Sequence, residues 1–283
     1  MINIGLMPYS LGGGVVETEA GAQAIFEQLA PHLEQRGLSY GLLDAVAPSG
    51  LPRVSNSRVK NYAALIGLNR SLKSSLISSI SEQEETLLTI GGDRGSVLGS
   101  AFATKELYPQ AAIIYFSGFG DSFMPGNGSG EWLNNSIVPS LLGRAAAKDL
   151  PTKGYRDFEM IIVGPQYLER SELEYIKGQN IKYFGINQIL VGGFKPLIQA
   201  IRQTLGHKPV HIFFSMDTMN FQDFPGISQP NQGGLSYREI KLVFSELAKK
   251  QIRGITIADQ APDYDQDERT LTLATELILD LLS

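Results

Sequence analysis

Eight short apolar runs punctuate the chain: INIGLM from residue 2, LSYGLL from 38, TLLTI from 86, AAIIYF from 111, EMIIVG from 159, IKYFGI from 181, VHIFFS from 210 and GITIAD from 254. Their apolar character is continuous rather than alternating, the pattern of strands buried on both faces. Segments with helical spacing lie between them. In SYREIKLVFSELAKKQ, Ser236 and Glu239 have capping-box spacing, and Tyr237, Ile240, Phe244 and Leu247 share one face. Near residues 267–282, Leu271, Ala274, Ile278 and Leu281 repeat the rhythm. Strands alternating with helices predict an α/β fold, a three-layer α/β/α sandwich with a mostly parallel sheet of about eight strands. No linker, repeat or low-complexity tract interrupts residues 1–283, which read as a single domain. APSGLPRVSNS near residue 50 is the most loop-like stretch.

Composition narrows the function classes. With 43% hydrophobic and 19% charged residues, the chain has enough apolar material for a large core. A net charge of −5 disfavours a nucleic-acid partner, which needs concentrated basic surface. The absence of cysteine excludes disulfides, zinc–thiolate sites and thiol nucleophiles. MINIGLMPYS has no basic n-region before an apolar stretch, and no run approaches the ~20 residues of a membrane span. The chain therefore reads as cytoplasmic, with no membrane partner, and its two glycosylation-like triplets at Asn127 and Asn134 read as chance matches.

Ligands of parallel sheets bind beyond the carboxyl ends of the strands. Four such ends stand out: GGDRGS at 91–96, SGFGDSFMPGNGSG at 117–130, SMDTMNFQDFPG at 215–226 and ADQAPDYD at 258–265. They carry Asp93, Asp121, Asp217 and Asp259. Each aspartate alone reads as a turn or cap residue; together they suit a metal site or an acid/base pair. None of the three histidines falls at a strand end: His211 reads as structural, His32 and His207 as surface residues. Ser117, Ser129 and Ser215 consequently have no imidazole base. PGNGSG lacks the lysine and spacing of a phosphate loop.

At these motifs the chain resembles the ureohydrolases, and arginases in particular. GLMPYSLGGGVVETEAG is similar to the family's N-terminal strand and loop, GGDRGSVLGS to its GGDH motif, YFSGFGD to DAHxD and SMDTMNFQDFPG to SxDxDxxDP. IKYFGINQI, GGLSYREI and ADQAPDYD also resemble arginase segments. The resemblance covers most of the chain. It implies the arginase fold and two manganese ions, held by two histidines and four aspartates, that activate a water to attack a guanidinium carbon. Carried over residue by residue, the GGDH histidine falls on Arg94. The DAHxD ligands fall on Ser117, Phe119 and Asp121, and those of SxDxD on Asp217 and Met219. Only Asp121 and Asp217 keep ligand chemistry, so the manganese cofactor is expected to be absent. The SGNLHG segment resembles SGEWLN, which puts the catalytic histidine on Leu133 and the substrate-holding asparagine on Glu131; the guanidinium-binding glutamate falls on Asp259.

Two buried aspartates without metals need a counter-charge, so Arg94 is expected to reach between them and pair with Asp217 or Asp121. The remaining pocket, framed by Asp93, Arg94, Glu131 and Asp259, suits a cationic small molecule. The resulting reading is a non-catalytic arginase-like protein that binds a small molecule or serves as a regulatory or structural subunit. The alternative is a C–N hydrolase of a guanidino or related cationic compound. It would use one weak metal at Asp121 and Asp217 with Asp93 or Asp223, or metal-free acid/base chemistry through Asp259, Glu131 and Asp121. The resemblance also implies self-association as a trimer or hexamer, or association with an active paralogue.

Overall fold

The computed structural model describes residues 1–14, 18–43, 59–82, 84–125, 131–145, 149–150, 153–230, 232–247 and 250–283. The APSGLPRVSNS stretch, residues 126–130 of PGNGSG, and with them Asn127 and Ser129, lie outside the described residues. All eight apolar runs form strands: β1 Ile2–Met7, β2 Tyr40–Leu42, β3 Thr86–Gly91, β4 Ala112–Phe116, β5 Met160–Val163, β6 Lys182–Phe184, β7 Pro209–Ser215 and β8 Gln251–Ala258. They make one sheet in the order β2-β1-β3-β8-β7-β4-β5-β6, and every pairing is parallel.

The continuous apolarity of the strands is explained by two cores, one on each face. On one side Ile4, Ile90, Ile114, Phe116, Phe214 and Ile257 pack against helices α1 (Gly21–Gln35), α6 (Ile186–Gly192), α7 (Lys195–Leu205), α8 (Tyr237–Leu247) and α9 (Arg269–Leu282). On the other, Met7, Leu87, Ile113, Tyr115, Ile162 and Phe213 meet α2 (Tyr62–Ser79), α3 (Val97–Leu107), α4 (Ile137–Leu141) and α5 (Arg170–Gly178). Successive strand residues point to opposite faces, so both sets must be apolar. The capping box that opens α8 is formed: Ser236 N and Oγ both donate to Glu239 Oε2 at 2.8 Å. Ile240, Val243, Phe244 and Leu247 are the buried face of that helix, with Tyr237 half-buried at its start. No helix among the described residues is long and apolar enough to cross a membrane.

His211 is structural, as its place early in β7 suggests. It is wholly buried, with Nδ1 2.9 Å from Thr104 Oγ1 and Nε2 3.0 Å from Thr256 Oγ1. Burial pushes its pKa down to about 3, so the ring is neutral. It fits because position 254 on β8 is glycine: a Cβ there would lie 2.2 Å from both His211 Nδ1 and Thr104 Oγ1. We expect Gly254→Ala to destabilise the fold by about 1–3 kcal/mol through overpacking. Urea denaturation checks this, and a neutral result would mean that the imidazole is not tightly held.

Candidate functional site

The four central strands β3, β8, β7 and β4 are neighbours in the sheet, and each delivers a charged residue just beyond its carboxyl end. β3 runs through Gly91 and Gly92 into a short 3₁₀ turn, Arg94–Ser96, where Asp93 caps the turn through Gly95 N at 2.8 Å. The Arg94 side chain extends across the strand tips. Nη1 donates to both oxygens of Asp121 at 3.1 and 3.2 Å, and Nη2 donates to Asp217 Oδ2 in a very short contact. Nε lies 3.3 Å from Asp259 Oδ2, within ionic reach but without hydrogen-bond alignment. The ring of Phe119 sits 5.0 Å from the guanidinium carbon, a cation–π contact that closes one face of the cluster. The sequence anticipated Arg94 pairing with Asp217 or Asp121; it pairs with both, and with Asp259 as well.

The carboxylates are held by the backbone and by neutral donors. Asp121 Oδ2 accepts from Tyr115 Oη at 2.7 Å and Ser117 Oγ at 2.9 Å. Asp217 Oδ1 accepts from Gly118 N at 2.9 Å, and this approach needs glycine, because a Cβ at 118 would meet Asp217 O at 2.4 Å. Ser215 Oγ donates to Asp259 Oδ2 at 2.6 Å. Two of the aspartates have left-handed backbones, with φ of 46° at Asp121 and 70° at Asp259. Asp tolerates that region better than most side chains, yet it remains an uncommon conformation, and both instances fall on Arg94 partners.

One cation among three acids cannot neutralise all of them. Burial opposes the charge of Arg94, but Asp121, Asp217 and Asp259 outweigh it and raise its pKa well above the ordinary value. Burial also raises Asp121, with Arg94 opposing. Asp259 is pushed up to about 7 by burial, offset by Arg94 and reinforced by Asp217. Asp93 is pushed up to about 6, chiefly by burial. Glu172, which accepts from Ser122 N at 3.3 Å and braces the loop carrying Asp121, is raised to about 7 for the same reason.

In front of the cluster lies a cavity of about 300 Å³ lined by Asp93, Arg94, Phe119, Trp132, Asn134 and Asp259, among others. Asp121 and Asp217 do not line it; they sit behind the guanidinium, each 2% exposed. Asp93 faces the cavity but is engaged by Gly12 N at 2.7 Å as well as by Gly95 N. Three site assignments are corrected. Glu131 is absent from the cavity wall and pairs with Lys60 at 3.1 Å on the surface. Leu133 is buried in a hydrophobic core, and the side chain offered to the cavity is Asn134, one residue further on. Asp223 caps α8 through Tyr237 N at 2.8 Å and takes no part in the cluster. The sequence reading also missed Tyr115, whose hydroxyl is hidden in an apolar run; strand alternation, which puts it on the side of Ser117, was the available signal.

The donor set does not fit the two manganese ions that the resemblance implies. A guanidinium already stands among Asp121, Asp217 and Asp259, Phe119 offers it only a ring face, and Met219 is buried in apolar packing. Among the described residues no group of three His, Cys, Asp or Glu side chains is arranged to hold a metal ion. Ser117 and Ser215 donate to carboxylates rather than facing a base.

Two outcomes follow for stability. Arg94→Met removes the cation from three buried acids and should cost about 3–5 kcal/mol at pH 8, less at pH 5, where protons take over part of the compensation. Asp259 has a folded pKa of about 7 against an ordinary 3.8. Its contribution is therefore fully present below about pH 4 and is lost as pH rises toward 7. Asp259→Asn should flatten that decline in denaturation midpoints between pH 5 and 8; an unchanged slope would contradict the assignment.

Comparison with known proteins agrees with the motifs. The sequence model described as "Arginase family" matches residues 7–283. The arginase of Bacillus subtilis (strain 168) is 26% identical over 288 residues, covering 98% of this chain and 95% of its own. The arginase of Staphylococcus aureus (strain COL) is 25% identical over 226 residues, covering 78% and 74%. Among solved structures, Bacillus caldovelox arginase superposes with a TM-score of 0.90 at 20% identity, over 100% of this chain and 98% of that one. Entamoeba histolytica arginase in complex with L-ornithine gives 0.89 at 19% identity, with the same coverage. The chain belongs to the arginase family.

Proposed function

We propose that this is an arginase-family protein with a degenerate dimanganese site, which holds a small cationic molecule in the strand-end cavity instead of hydrolysing a guanidinium group through metal. The reading rests on the ion-pair cluster of Arg94 with Asp121, Asp217 and Asp259. A permanently charged guanidinium among the carboxylates repels a divalent ion, and displacing it would bury an unpaired arginine. Counting Asp93, four carboxylates stand against one guanidinium, so the cavity favours positive ligands. Buried Asn134 Oδ1 and Thr18 Oγ1, without hydrogen-bond partners in the protein, supply neutral acceptors at its wall. By likeness to its family the chain also self-associates, as a trimer or hexamer or beside an active paralogue; native mass measurement gives the subunit number.

A second reading keeps catalysis. Asp93 and Asp259 line one cavity and titrate near 6 and 7, which suits proton exchange at neutral pH. Relatives at 25–26% identity carry the name arginase. A metal-free or single-metal hydrolase of a C–N bond in a guanidino compound would use these groups.

The purified chain, incubated with manganese and dialysed, is expected to retain none at stoichiometric level and to release no urea from arginine or agmatine. Small amines or guanidines should raise its melting temperature. Urea release that survives chelation and disappears in Asp259→Asn would establish the second reading. The combined variant R94H/S117D/F119H/M219D, shown to be folded by circular dichroism, should gain manganese. Its failure to do so would sink the residue correspondence.

A further inference from the structure

We propose that a cleft at the opposite end of the sheet binds a compact phosphate-bearing anion, a site independent of the strand-end cavity. The cleft, of about 510 Å³, is formed where α3 turns into β4 and where the chain enters β5 and β7. Its charged lining is Lys105, Lys153, Arg156 and Lys208 against Glu106 and Glu159. That excess of base runs against a chain with 29 acidic and 24 basic residues.

Both acids are already engaged. Glu159 Oε2 accepts from Lys105 Nζ at 2.7 Å and from Arg156 N at 2.8 Å, while Glu106 pairs with Lys73 at 2.5 Å. Lys105 is likewise spent, its Nζ also donating to Ala111 O at 3.0 Å. Among the described residues no carboxylate forms an ion pair with Lys153, Arg156 or Lys208. The last two converge on the ring of Phe158, the Arg156 guanidinium carbon at 5.7 Å and Lys208 Nζ at 5.6 Å from its centre. Phe158 is 52% exposed, so it is not a core residue. It acts as a post that brings two like charges together.

The bland explanation is that bases gather where helices end. The carboxyl ends of α3 and α7 lie close by, each worth about half a negative charge. Those two half-charges offset about one of the three cations without an ion pair, so about two positive charges remain uncompensated. Burial pushes the Lys105 pKa down and Glu159 opposes the shift, with smaller like-charge contributions from Arg156 and Lys208, which places both cations within electrostatic reach of Lys105. A multiply charged oxyanion satisfies all three at once, since the arginine fork takes two oxygens and the lysines take the rest.

The test is calorimetric titration of the full chain with sodium tripolyphosphate at low ionic strength. We expect one site per chain, weakened by added salt and weakened about tenfold by either Arg156→Gln or Lys208→Gln. Phe158→Leu should weaken it too, by releasing the two cations, while Lys177→Gln, an exposed charge on α5, should leave it unchanged. Arg156 is exposed and Lys208 half-buried, and melting curves verify that the variants fold. No measurable binding at millimolar tripolyphosphate would overturn the proposal. So would affinity that is insensitive to Arg156 and Lys208, or that falls equally with Lys177.

Discussion

The placement of one guanidinium among three aspartates is the constraint from which the strand-end architecture follows. A buried carboxylate without a counter-charge is costly, and three that converge from separate strands are costlier still. With strands about 4.8 Å apart, β3 and β4 stand about 14 Å from each other, with β8 and β7 between them. A side chain that engages acids from three of those strands must be long, permanently charged and forked. Arginine alone meets all three conditions; lysine would present one point of charge. The geometry is supported behind the acids by Tyr115, Ser117, Ser215 and Gly118.

The cluster imposes conformational cost where it meets the chain. Asp121 and Asp259 leave their strands with positive φ, each on the order of 1 kcal/mol or more above a relaxed backbone. Such conformations persist only where the surroundings enforce them. Here the backbone hydrogen bonds Asp259 N to Gly92 O at 3.0 Å and Val138 N to Asp121 O at 2.9 Å act together with the ion pairs to Arg94. Burial pushes Asp259 and Asp93 toward neutrality, and at Asp259 the neighbouring Asp217 reinforces the shift, so protons take up part of the surplus negative charge.

The fold was legible because buried parallel strands leave a dense apolar signature, and all eight runs became strands. Asp121, Asp217 and Asp259 were legible because a strand end fixes where the next residues lie. What failed was the irregular segment after Asp121. No periodicity there anchors register, so Glu131 and Leu133 were named where the fold presents Asn134 to the cavity. Asp259 lines the cavity, but the sequence does not reveal that Arg94 also reaches it. The basic cleft left no local motif either, since Lys105, Arg156 and Lys208 are each unremarkable among their neighbours and meet only through the topology.

That topology also explains why opposite charges collect at opposite ends. Helices that return between parallel strands run antiparallel to them, so their amino ends face the strand tips and their carboxyl ends face the strand starts. The helix dipoles thus favour anions at the tips and cations at the starts. The scaffold supplies fractions of a charge at each end, and this chain carries more than the scaffold calls for at both. At the tips part of the excess acid is met from within, by Arg94 and by protons. At the starts no carboxylate among the described residues forms an ion pair with Arg156 or Lys208, which leaves their charge open to an anion from solution.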